Sequence, residues 1–152
     1  MKGELFMKKK IIASFLATSL FIESFFGVGT SVIADARSAT SYMKSYKKLE
    51  NKCKKKFTHD GAMVDMASDA NEEYGLWKKE LEKDLEDILD ELDDSEAGEL
   101  LLLQRKWKKK MKKKAAKEAS EWGSASYSLM YITSMKEQTK KRIKWLIKNY
   151  AE

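Results

Sequence analysis

An all-α fold is predicted for this chain: an antiparallel bundle of three long helices plus a C-terminal fourth helix. Three features predict it. Proline is absent from the 152 residues and only 7 are glycine, so little interrupts a helix. Met, Leu, Lys and Glu, all good helix formers, dominate the composition. Apolar residues recur at steps of three and four in four separate stretches, which places them on one face of each helix.

Ahead of the helices stand Lys8, Lys9 and Lys10, an apolar run from Ile11 to Ile22, and the small-x-small sequence Ala34-Asp35-Ala36. That is the three-part pattern of a secretory signal peptide, with Met7 a more typical start for it than Met1. Residues 1–36 are therefore expected to be a signal peptide cleaved after Ala36, and residues 37–152 the exported helical domain. The competing reading is a retained anchor, but the apolar run meets Glu23 before reaching the ~20 residues a spanning helix needs. The expected location is secreted, or the outer side of the cell envelope. Cys53 is the single cysteine, so no internal disulfide holds the domain and packing must do so. It is either a small apolar residue on a helix face or a reactive or intermolecularly paired thiol.

The first helix is expected from about Ser41 to Phe57, with Tyr42, Tyr46, Leu49 and Cys53 on its apolar face and lysines on the other. Thr58-His59-Asp60-Gly61 breaks the pattern. The second helix runs from about Met63 to Leu92 on the stripe Met63, Met66, Ala70, Tyr74, Trp77, Leu81, Leu85, Ile88 and Leu92, with Gly75 a candidate kink. Asp93, Asp94 or Ser95 can cap the third helix. In that helix Leu100, Leu103, Trp107, Met111 and Ala115 form the stripe, and it ends near Trp122-Gly123. Ser124 or Ser126 can cap the last helix, which holds Tyr131, Met135, Ile143, Leu146 and Ile147.

Charge is segregated along this layout. Between Glu72 and Glu99 thirteen acids stand against three lysines, whereas Arg105 to Lys117 holds nine bases and no acid. If the second and third helices pair about the turn near Ser95, positions equidistant from it face one another. Arg105 and Lys106 then meet Glu86 and Asp87, while Lys112, Lys113 and Lys114 meet Lys78 and Lys79. The hairpin becomes acidic at its turn, through Asp90, Glu91, Asp93 and Asp94, and basic at its open end. The basic cluster suits an anionic cell-wall polymer or a membrane surface. Nucleic acid is not expected as the partner of an exported domain.

Catalysis finds little support. His59 is the only histidine and has no second His or Cys at metal-ligand spacing. Cys53 and His59 lie six apart across a helix end, a poor arrangement for a thiolate–imidazole pair. The acidic turn fails the calcium-loop pattern, since Leu92 fills a ligand slot and the glycine is misplaced. No enzyme activity, no cofactor and no metal are expected. The best candidate binding site is Gln104-Arg105-x-Trp107. Its polar pair beside an aromatic can recognise protein or glycan; alternatively Trp107 is core and Gln104 a buried, satisfied polar group.

Those residues also carry a resemblance. Tyr74, Trp77 and Leu81, then Leu100, Gln104, Arg105 and Trp107, then Gly123, Ser124 and Thr139 resemble in order and spacing the LprI-type lysozyme-inhibitor domain, a family of small exported helical bacterial proteins. The chain departs from the family's pattern at Glu82, Met111 and Gln138, and lacks the cysteine pairs of many members. The resemblance implies a helical fold and a monomeric, non-enzymatic binding protein, with lysozyme or another protein as partner. Inhibition would then come from the acidic turn sitting over the cleft of a cationic muramidase.

Overall fold

In the computed structural model residues 37–58 and 60–151 are described; the expected signal peptide and His59 lie outside them. Four helices account for nearly all of this: α1 (Ala39–Lys56), α2 (Met63–Glu91), α3 (Asp94–Ser120) and α4 (Gly123–Tyr150). No strand occurs among the described residues, so the chain is all-α as the composition and periodicity require.

The helix ends have local causes. Ser38 caps α1 by accepting from the Ser41 amide, so α1 starts two residues earlier than expected. The hydrogen-bonded helix of α2 continues unbroken through Gly75. Asp93 caps α3: its Oδ1 accepts from the amides of Ser95 and Glu96, both at 2.9 Å, while Glu96 reaches back to the Asp93 amide. This capping box satisfies amides at the start of α3 that have no partner within the helix. α4 begins without a side-chain cap; neither Ser124 nor Ser126 serves, and Ser126 instead sits inside the helix with its hydroxyl 3.6 Å from Met63 Sδ. Gly123, at φ +74°, supplies the left-handed backbone that lets α4 restart so soon after α3.

The fourth helix is the centre of the packing. Met63 meets Ser126 and Glu73 meets Lys136, each pair 63 residues apart, so α4 runs parallel to α2 in constant register. It runs antiparallel to α3, where Met111 meets Thr139 and Gln104 meets Arg142. α2 and α3 scarcely approach each other, because α4 packs along both. This corrects the expectation that Lys112–Lys114 face Lys78 and Lys79 across a hairpin.

The main core gathers Tyr42, Tyr46, Cys53 and Phe57 with Trp77, Leu81, Ile88 and Leu89 of α2, Leu100 of α3, and Ile143, Leu146 and Ile147 of α4. A smaller cluster joins Met111 and Ala115 to Met135. Tyr46 and Trp77 tilt against each other with centroids 4.9 Å apart, an aromatic arrangement that adds to simple burial.

Candidate functional site

Gln104 is buried, and its Oε1 accepts a 2.8 Å hydrogen bond from Nε of Arg142. The Arg142 guanidinium lies 3.9 Å from the ring centroid of Trp145 and 5.5 Å from that of Trp107. Two indole faces and one amide thus hold a buried cation with no carboxylate paired to it among the described residues, and burial lowers the arginine's proton affinity. Trp107 is half-buried and bridges both core clusters. Arg105 points the other way and is exposed. The motif therefore divides: Gln104 and Trp107 build the interior, and only Arg105 faces solvent. The stripe also shifts, since Leu103 is 42% exposed and Gln104 takes the inward place.

At the turn between α2 and α3, Asp90, Glu91, Asp93 and Asp94 are all exposed. Asp93 is committed to the helix cap, and Glu91 Oε1 accepts from the Arg37 amide at 3.0 Å. Beneath them the Arg37 side chain enters a pocket of acids: Nη1 lies 3.0 Å from both Asp84 Oδ1 and Asp87 Oδ2, and Nη2 donates to Ser45 Oγ at 2.6 Å. Asp84 is fully buried, and its Oδ2 has no hydrogen-bond partner among the described residues. Desolvation, reinforced by the Glu80 carboxylate and opposed by Arg37, pushes its pKa up to about 7. The Tyr42 phenol under the Arg37 guanidinium is pushed up to about 12, by burial first and then by Glu91 and Asp87.

A second buried ion pair lies between α2 and α4. Lys136 Nζ is 2.7 Å from Glu73 Oε2, and Trp77 Nε1 donates to Oε1 of the same carboxylate at 3.2 Å. Glu73, Asp84, Lys136 and Arg142 were not singled out from the sequence, although the two acids fall in phase with the stripe: 70, 73, 77, 81, 84 and 88 step by three and four.

With this geometry in place, residues 53–146, more than half of the chain, match the family profile described as lysozyme inhibitor LprI. The chain belongs to the LprI family. The matched segment starts near the end of α1 and reaches into α4, so it takes in Gln104, Trp107 and Arg142 and leaves out Arg37. No characterised protein and no solved structure matches the chain.

Around the LprI domain the basic residues are partly neutralised. Lys78 pairs with Glu82 at 3.8 Å and Lys114 with Glu118 at 3.6 Å, each within its own helix. Lys79, Lys112 and Lys113 are exposed. Several large apolar side chains also reach the surface: Leu102 (54%) and Leu103 on α3, and at the far end Val64 (79%) and Trp122 (60%). Among the described residues no group of acids, His and Cys is arranged to hold a metal, and no helix is long and apolar enough to cross a membrane.

Proposed function

We propose that this LprI-family protein acts outside the cytoplasm as a lysozyme-binding inhibitor, and that the acidic end of the bundle together with Leu102 and Leu103 meets the enzyme. The supporting observation is the juxtaposition on α3. Leu102 and Leu103 each stand three or four residues from both Glu99 and Lys106, so the two exposed leucines continue the surface that begins at the acidic turn. Acids steer a cationic partner and speed encounter, while affinity needs an apolar anchor that loses its water. The sequence places no such anchor within the turn itself; the leucines supply one beside it. The chain's net charge of +6 is felt weakly here, because exposed charges more than about 8 Å apart are screened at physiological ionic strength.

The test is clearing of bacterial walls by lysozyme, followed by turbidity, with the mature protein titrated in. Protection near equimolar ratios is expected, weakened by Asp90→Asn with Asp94→Asn and weakened further by Leu103→Ser. Clearing that is unaffected by excess protein overturns the reading.

A second reading, attachment to an anionic wall polymer or membrane surface, is favoured by exposed Trp122 in the turn that follows the lysine-rich part of α3. Attachment of that kind fades as salt rises and fails on walls stripped of anionic polymer.

A further inference from the structure

We infer that export processing does more than release this domain: scission between Ala36 and Arg37 creates a charged α-amine that Glu91 is already placed to receive. The inference rests on the export reading and is independent of lysozyme binding. Three observations carry it.

Arg37 is held at both ends. Its guanidinium bridges Asp84 and Asp87, and its backbone nitrogen donates to Glu91 at 3.0 Å, so one residue engages three acids spaced along α2. Ser38 caps α1 from its own side chain, so the cap of that helix lies within the chain that a cut before Arg37 leaves. The chemistry at the cut also fits. Hydrolysis places the hydroxyl of water on the Ala36 carbonyl carbon, which leaves as a carboxylate, and the Arg37 nitrogen takes the proton to become an amine. At neutral pH that amine is mostly an ammonium. It keeps the donor that the amide presents to Glu91 and adds a full positive charge, turning a hydrogen bond with one ionised partner into an ion pair.

Glu91 of α2 meets the backbone nitrogen itself, while Asp87 and Asp84, with Glu80 next to Asp84, and the Tyr42 ring of α1 surround the same residue's guanidinium. Acids outnumber bases there, so a further cation is favoured. The mature amino terminus thereby becomes a clasp fastening the start of α1 to the end of α2.

Two measurements test this. The full chain is expressed in an exporting bacterium, and the first residue of the released protein is read by mass spectrometry; Arg37 is expected. The chain beginning at Arg37 is then compared with the same chain carrying a Gly-Ser extension, by thermal midpoint between pH 6 and pH 10. An exposed ion pair of ordinary strength raises the midpoint of the Arg37-initiated chain by about 1–4 °C near pH 6. The gap should close above pH 9 as the ammonium loses its proton, and should be absent when both chains carry Glu91→Gln. Asp84 is present in both chains, so its own titration cancels in the difference. A midpoint gap of zero, or one indifferent to Glu91→Gln, overturns the clasp. So does a released chain cut at another residue. Recovery of only uncut chain overturns the export reading together with it.

Discussion

Glu73 and Lys136, 63 residues apart in sequence, form a buried ion pair 2.7 Å long between two parallel helices. Side-chain exposures of 8% and 11% leave both charges with little water, and the Trp77 indole supplies the carboxylate's further hydrogen bond. A pair of this kind contributes less to net stability than to the register it imposes, since desolvating two charges offsets much of their attraction.

Removing one partner should therefore cost more than removing both. Glu73→Ala leaves a buried ammonium and is expected to destabilise the fold by about 3–5 kcal/mol. Glu73→Leu combined with Lys136→Met should recover most of that loss. Urea unfolding of the single and double variants is the measurement, and equal losses in the two would remove the argument.

Asp84 should give the protein an unusual pH profile. Its pKa is raised from 3.8 to about 7 in the folded state, so between those values the folded chain holds a proton that the unfolded chain has released. Its contribution is then complete below pH 4 and declines as pH rises through 7, the reverse of an ordinary salt-bridged carboxylate. Asp84→Asn should remove that decline. Thermal midpoints of both proteins between pH 4.5 and 8 decide it: the difference, wild type minus variant, should fall with rising pH, and a flat difference would show that Asp84 ionises normally.

Trp107 touches both core clusters while remaining only half-buried. Its replacement by Ala is expected to cost about 3 kcal/mol, the low end for a tryptophan, because part of the ring already meets water. An unchanged unfolding midpoint accompanied by lost lysozyme binding would make Trp107 a recognition residue instead.

Gln104 carries a sharper test. Gln104→Leu keeps the volume but strips Nε of Arg142 of its acceptor, which should cost about 1–3 kcal/mol. Restoring polarity with Gln104→Glu gives the buried cation a carboxylate acceptor and should be the less damaging change. Midpoints that fail to separate the two substitutions would contradict the role given to this bond.

Cys53 is 3% exposed, and burial, reinforced by the Glu73 carboxylate, raises its pKa above the ordinary thiol value. The thiolate is the reactive form, so the native protein should label slowly with a thiol reagent at pH 8, and the rate should jump when urea unfolds it. Fast labelling of the native protein would mean that this helix face opens.

How much of this was legible depends on the kind of information involved. The helices and most of the core follow from apolar spacing, and the capping of α3 follows from Asp93. Partner choice between helices does not, because periodicity marks a face without saying what lies against it. That is why the α2–α3 hairpin expectation failed: α4 offers both helices a broader surface than they offer each other. Tyr74 and Leu85 were placed in the stripe of α2 on hydropathy, yet Glu73 and Asp84 are the buried residues at those turns. Their partners, Lys136 and Arg37, lie 63 and 47 residues away, and no local pattern reveals a charge neutralised from that distance. The inward turn of Gln104 has the same origin in Arg142.

The central place of α4 has a bearing on how the chain comes to be folded at all. Emerging from its amino terminus, whether from a ribosome or through a translocation pore, the chain presents the stripes of α2 and α3 before the surface that covers them exists. Until the 28 residues of α4 arrive, both stripes lack their principal partner. The element that joins the other two long helices is thus made after both of them, and the core closes only once it is there.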